Sequence, residues 1–133
     1  MPGTTVRSAV PETKAFPQPW EDIKATIRPA GVVQERARQE LVKHRVEAYE
    51  PDGAIRIESD VNTIDLWLEE IWLTYDDINV TNEAGERIFK ARSDTNQAEF
   101  LKALENWNPG PDFLKAWIAL VREVNPTWRR PFL

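Results

Sequence analysis

The sequence predicts an α+β domain that is predominantly α, with about five helices and one small antiparallel β-hairpin. Three observations lead there. Apolar residues recur at helical spacing in several separate stretches, most fully at Ile64, Trp67, Leu68, Ile71, Trp72 and Tyr75. A Pro51-Asp52-Gly53 turn separates two short alternating runs. Prolines and glycines cut the remaining chain into helix-length pieces. At 133 residues, 41% hydrophobic and 29% charged, the chain fits one ordinary domain that needs neither metal nor disulfide to fold.

Residues 1–19 read as an extended proline-rich arm, because Pro2, Pro11, Pro17 and Pro19 deny continuous helix or ladder bonding. Phe16 and Trp20 bracket its end and are placed to staple it to the domain. The stretch PWEDIKATIR (19–28) carries helix-start chemistry, with Glu21 and Asp22 in the first turn and Trp20, Ile23 and Ile27 on one face. A second helix is expected from about Val32 to Lys43. Val33, Ala37 and Leu41 form its stripe, and Gln34, Glu35, Arg36, Arg38, Glu40 and Lys43 its solvated face. RVEAYE and AIRIE around the Pro-Asp-Gly turn give the hairpin.

The central helix is expected between Asp60 and Asp77. Leu66 and Leu73 lie off its main stripe, so this helix is either deeply buried or in contact with something else. Asn82 to Gly85 make a turn, and Ile88 and Phe89 return to the core. Asp94 with Gln97 forms a capping box for a helix bearing Phe100, Leu101, Leu104 and Trp107. Asn108-Pro109-Gly110-Pro111 stops it and starts a last helix. That helix buries Phe113, Leu114, Trp117, Ile118, Val121 and Val124 and ends at Asn125-Pro126. Residues 20–126 are thus a single globular domain, and 127–133 an aromatic, basic C-terminal tail.

The net charge of −5, from 22 acidic and 17 basic side chains, argues against a phosphate-reading surface, so direct nucleic-acid binding is not expected. With no cysteine, disulfides, zinc–thiolate sites and thiol catalysis are excluded. No run has signal-peptide or membrane-span length, so no membrane partner is expected and the localisation is cytoplasmic (host cytoplasm if phage-encoded).

Catalytic chemistry finds little to stand on. His44 is the only histidine and sits between Lys43 and Arg45, which disfavour its protonation. No glycine-rich phosphate cradle is present. Glu69 and Glu70 point about 100° apart on a helix and chelate poorly together. Asp76, Asp77 and Asn79 lack the calcium-loop pattern, and solvated faces account for all these acids. No catalytic, cofactor or metal residue is assigned.

Six tryptophans are many for this length. Trp67, Trp72, Trp107 and Trp117 fall on helix faces and read as core, whereas Trp20 and Trp128 lie near proline-bearing ends. Trp128, Arg129, Arg130 and Phe132 combine the residue types of interface anchors. They are either a docking tail or a strap folded onto their own domain.

From the hairpin onward, a long helix is followed by Val80-Thr81-Asn82-Glu83-Ala84-Gly85-Glu86-Arg87-Ile88-Phe89, a capped acidic helix and a final amphipathic helix. This arrangement, over about residues 46–126, resembles the phage tail assembly chaperones, in which a V-x-x-x-x-G-x-x-I/L-F turn separates two helical blocks. The resemblance implies a non-enzymatic protein that binds a tape-measure or tube protein during tail building.

The expected function is therefore a non-enzymatic protein-binding assembly or accessory factor, of phage origin if the resemblance holds. It grips its partner through the termini, with Phe16, Trp20, Leu66, Leu73, Trp128, Arg129, Arg130 and Phe132 as contact residues. Two alternatives stand beside it. One is a small acidic inhibitor of a nucleic-acid enzyme, built on Glu47, Glu50, Glu58, Asp60, Glu69, Glu70, Asp76 and Asp77. The other is a carboxylate and divalent-metal enzyme.

Overall fold

Apolar residues two apart and three or four apart compete along this chain, and pairing partners decide between them. The computed structural model describes residues 10–46 and 63–129, and the side chains of 10–41 and 63–128 among them. Strands β1 (Glu12–Ala15) and β2 (Lys24–Ile27) come first, followed by helices α1 (Val32–Val46) and α2 (Thr63–Thr74). Strand β3 (Tyr75–Ile78) follows α2 directly. A 3₁₀ turn (Arg92–Asp94), α3 (Gln97–Trp107), α4 (Pro111–Val124) and a last 3₁₀ turn (Pro126–Arg129) complete it.

The α+β class holds, with four α-helices and a three-stranded antiparallel sheet ordered β1-β2-β3 among the described residues. The fifth expected helix, residues 19–28, is instead a turn followed by β2. Ala25 and Ile27 are buried while Lys24 is exposed, a period-two pattern that the shared spacing of Trp20, Ile23 and Ile27 obscures. As the central strand, β2 pairs on one side through Glu12↔Ile27 and on the other through Ala25↔Ile78. Side-chain ties reinforce it: Lys24 N–H donates to Asn79 Oδ1 at 2.7 Å.

The observed hairpin is β1–β2, formed inside what the sequence presents as an arm and its following helix. Pro11 and Pro17 flank β1, an edge strand, where a missing N–H is tolerated. Of the hairpin expected at 45–58, Arg45 and Val46 close α1, and the rest lies outside the described residues.

Along α2 the buried positions are Leu66, Glu70, Ile71, Leu73 and Thr74, so the helix is enclosed on more than one side. The expected stripe is only partly interior: Ile71 and Tyr75 are buried, Trp67, Leu68 and Trp72 half-buried, and Ile64 exposed. The helix was expected to reach Asp77 but gives way to β3 at Tyr75, whose chain pairs with β2. The Thr74 hydroxyl donates back to the Glu70 carbonyl at 2.8 Å.

The N-cap of α3 is Asn96, whose Oδ1 accepts from Glu99 N–H at 2.9 Å, rather than Asp94, which the preceding 3₁₀ turn occupies. Asn108 ends α3 in the left-handed conformation, and Pro111 opens α4. Between β3 and α3, Gly85 (φ 80°) makes the turn that lets Thr81 bridge Arg87 and returns Phe89 to the core. Trp117 is central there, in edge contacts with Phe16, Tyr75, Phe89, Phe100 and Phe113.

Candidate functional site

The residues singled out by sequence as contact points divide sharply. Phe16 (2% exposed), Leu66 (2%), Leu73 (8%) and Trp128 (0%) are all interior, so none of them offers a free docking surface. Phe16 and Trp128 belong to the main apolar cluster because apolar rings gain more from burial than from display at a chain end. Trp20 is half-buried, edge-on to Phe113 with centroids 5.3 Å apart. The side chain of Arg129, and Arg130 and Phe132 altogether, lie outside the described residues.

Glu70 is the least expected feature. Placed by sequence on a solvated face, it is fully buried. Arg38 of α1 donates through Nε to its Oε1 at 2.9 Å, and Arg122 of α4 donates through Nη2 to its Oε2 at 3.0 Å. Two guanidinium groups from opposite sides thus meet one carboxylate, which makes its burial tolerable. Arg38, also assigned to a solvated face, is 5% exposed and sits over the Trp128 ring, 4.9 Å from its centroid. The Trp128 indole N–H donates to the Glu35 carboxylate. The signal available in sequence was that Glu70 lies four residues from Leu66 and Thr74, on the face that the off-stripe leucines mark.

Of the other acids on the expected acidic face, Glu69 accepts from Gln97 Nε2 at 2.9 Å, Glu47, Glu50, Glu58 and Asp60 lie outside the described residues, and Asp76 and Asp77 are answered by arginines. Arg28 Nε donates to Asp76 at 2.7 Å, and Arg87 pairs with Asp77. Beside them, Tyr75 donates its hydroxyl to the Lys90 carbonyl. Burial, with Asp77 next, pushes the Tyr75 phenol well above its usual range. Arg92 lies over the Trp72 ring at 4.4 Å and donates to the carbonyls of Trp72 and Tyr75, closing the end of α2. Burial, followed by the charge of Arg28, lowers its pKa. Among the described residues, no three of His, Cys, Asp and Glu gather where they could hold a metal ion.

Besides Ile64, the outer surface carries an apolar residue of α1 that the sequence places inside. Val33 was expected on the buried stripe of α1, yet Val32 and Val33 are 84% and 76% exposed. Of the expected stripe, Ala37 packs against the core and Leu41 is half-buried, whereas Val33 is exposed and Arg38 faces α2. A shallow groove of about 620 Å³ runs beside the pair, lined by Ala30, Gly31, Val32, Glu35, Arg36 and Gln39. Two other grooves lie along α3. One, of about 340 Å³, includes Leu68, Leu101 and Leu114, and the other, of about 270 Å³, includes Ile88, Phe89 and Lys102.

Among the described residues, no helix is long and apolar enough to cross a membrane. No protein-family model, no curated protein and no solved structure matches the chain.

Proposed function

We propose that this protein is a non-enzymatic binding factor that grips a protein partner at the exposed valine pair opening α1. The observation that carries this reading is the exposure of Val32 and Val33, 84% and 76%, in the first turn of α1, with Val32 lining an open groove. Adjacent β-branched residues at a helix start cost helix propensity, and exposed they gain nothing from the domain's own core. An exposed apolar pair with polar residues around it supports a contact site there. Glu35 and Arg36 give the groove a polar rim.

The terminal grip is thereby moved: the partner meets α1, while Phe16 and Trp128 hold the domain together. An assembly role in a phage tail, with a tape-measure or tube protein as partner, remains the specific form suggested by the Val80–Phe89 pattern. The pairing of Glu70, Asp76 and Asp77 with arginines favours this reading over an acidic inhibitor, which needs uncompensated carboxylates on one face.

The test is site-specific photo-crosslinking in the cells that make the protein. A crosslinker replacing Val33 should give one discrete adduct, absent when the crosslinker replaces exposed Lys115 of α4. The adduct should be lost on Val32→Ser with a crosslinker kept at position 33. Equal labelling at both positions, or none at either, would sink the proposal.

A further inference from the structure

Strand β1 pairs with β2 and, among the described residues, with no other strand. Glu12, Thr13 and Ala15 are exposed and Lys14 is half-buried, so its outer edge is open. Which backbone groups face that edge follows from the ladder. Phe16 N–H donates to the Ile23 carbonyl at 2.9 Å, one step beyond the Ala15↔Lys24 pair. Successive residues of an antiparallel strand bond to alternate sides, so Phe16, Lys14 and Glu12 serve β2. Thr13 and Ala15 turn their N–H and carbonyl groups outward. Pro11 and Pro17 fall in the same alternation, and a proline has no N–H to offer. Between them the open edge offers the N–H groups of Thr13 and Ala15 only.

The side chains along this edge are patterned to match. Glu12 and Lys14 share the face on which Phe16 is buried, and Lys14 Nζ reaches Glu123 of α4 at 3.5 Å. Glu12 has no ion-pair partner among the described residues. Thr13 lies on the opposite face, its hydroxyl 3.0 Å from that of Thr26 on β2. Two copies of β1 laid antiparallel, Thr13 against Thr13, fit on every count. Each Thr13 N–H meets the Thr13 carbonyl of the other copy, and each Ala15 N–H meets the other copy's Pro11 carbonyl. Every free donor is then used, and only the Ala15 carbonyls, across from a proline nitrogen, are left to water. Glu12 of each copy falls opposite Lys14 of the other, a favourable cross-strand pair. The two neighbouring registers set Glu12 against Glu12 or Lys14 against Lys14, which repel.

We infer that β1 is a self-complementary edge through which two copies of this chain join, antiparallel about Thr13, with Glu12 of each against Lys14 of the other. The pairing merges two three-stranded sheets into one of six strands. It also sets Thr26, Thr13, Thr13 and Thr26 in one row across the solvent face. The same surface patch serves both copies, as two-fold symmetry requires. A contact built on so short a strand is small, so the dimer is weak and forms as concentration rises. This goes beyond the proposed function and does not depend on it, since the edge is separate from the valine pair of α1.

Sedimentation velocity on the full chain, from about 10 μM to about 1 mM, tests it. The protein should be monomeric at the low end and increasingly dimeric toward the high end. Thr13→Pro removes an outward N–H and leaves the β1–β2 ladder intact, so it should give a folded monomer at every concentration, with folding read by tryptophan fluorescence. Glu12→Lys and Lys14→Glu should each weaken the dimer about tenfold or more, because each sets like charges opposite one another. Both changes in one chain should restore most of the association, since the pairs re-form with their signs exchanged. A monomer throughout the range in the unaltered protein overturns the inference. So does a dimer that survives Thr13→Pro, or a double exchange no tighter than the single ones. Failure of Thr13→Pro to fold overturns it as well, since the Thr13 N–H would then serve the domain itself.

Discussion

Phe16 and Phe113 lie face to face, ring centroids 4.5 Å apart and planes 8° apart, joining the strand nearest the amino terminus to the last helix. Trp117 meets both rings edge-on. The stacked pair brings the end of β1 and the start of α4 into one cluster, so β1 is held by side-chain burial as well as by its ladder with β2. Its energetic weight can be measured directly.

Phe16→Ala should destabilise the domain by about 3–5 kcal/mol, the range for truncating a fully buried aromatic ring. Urea unfolding followed by tryptophan fluorescence gives the value. A loss below about 1 kcal/mol would mean that the ring stack contributes little beyond what solvent offers.

Glu70→Leu should cost about 3–5 kcal/mol, because buried Arg38 and half-buried Arg122 would both lose their counter-charge. Adding Arg38→Met and Arg122→Met should recover most of that loss, since well-packed apolar groups often match a buried ion pair. Equal damage from the single and triple variants would contradict this account of Glu70.

Tyr75 makes stability depend on alkaline pH. Its phenol titrates above the usual value in the folded state, so the folded form favours the protonated ring. That stabilisation is complete below about pH 10, the ordinary phenol pKa, and is lost as pH rises through the folded value. Urea midpoints should therefore hold up to about pH 10 and fall as pH rises above it. Tyr75→Phe should flatten this fall while costing about 1 kcal/mol at neutral pH for the bond lost to the Lys90 carbonyl. An unchanged alkaline slope in the variant would assign the effect elsewhere.

Gly85→Ala tests the turn within the Val80–Phe89 pattern. No atom lies within 4 Å of an added Cβ, so the penalty is the left-handed backbone alone, at φ 80°. The expected cost is about 1–2 kcal/mol. A thermal shift indistinguishable from the parent protein would show that this turn relaxes freely.

The helices α3 and α4 were legible because Phe100, Leu104, Phe113, Trp117 and Val121 repeat at three or four residues between clear stops at Asn108 and Asn125. Strand β2 was not. Ile23 and Ile27 satisfy a helical period as well as Ala25 and Ile27 satisfy a strand period, and four residues are too few to decide without the partners on both sides. The buried acid was hidden for a different reason. Its arginines stand 32 residues before it and 52 after it, and no local pattern reports a charge pair of that separation. Trp128 was read as either dock or strap, and its burial follows from Arg38 and Glu35, which the sequence assigned to water.

The direct passage from α2 into β3 leaves no slack between Thr74 and Tyr75. One added residue there would turn the preceding helix by about 100° relative to the strand, or carry the strand's side chains to the opposite side of the sheet. Either outcome would separate Leu66 and Glu70 from their neighbours or expel Tyr75 from the ring cluster. Length variation in descendants of this chain should therefore collect at the exposed Asn82–Gly85 turn, while the joint at 74–75 keeps its residue count even as side chains drift.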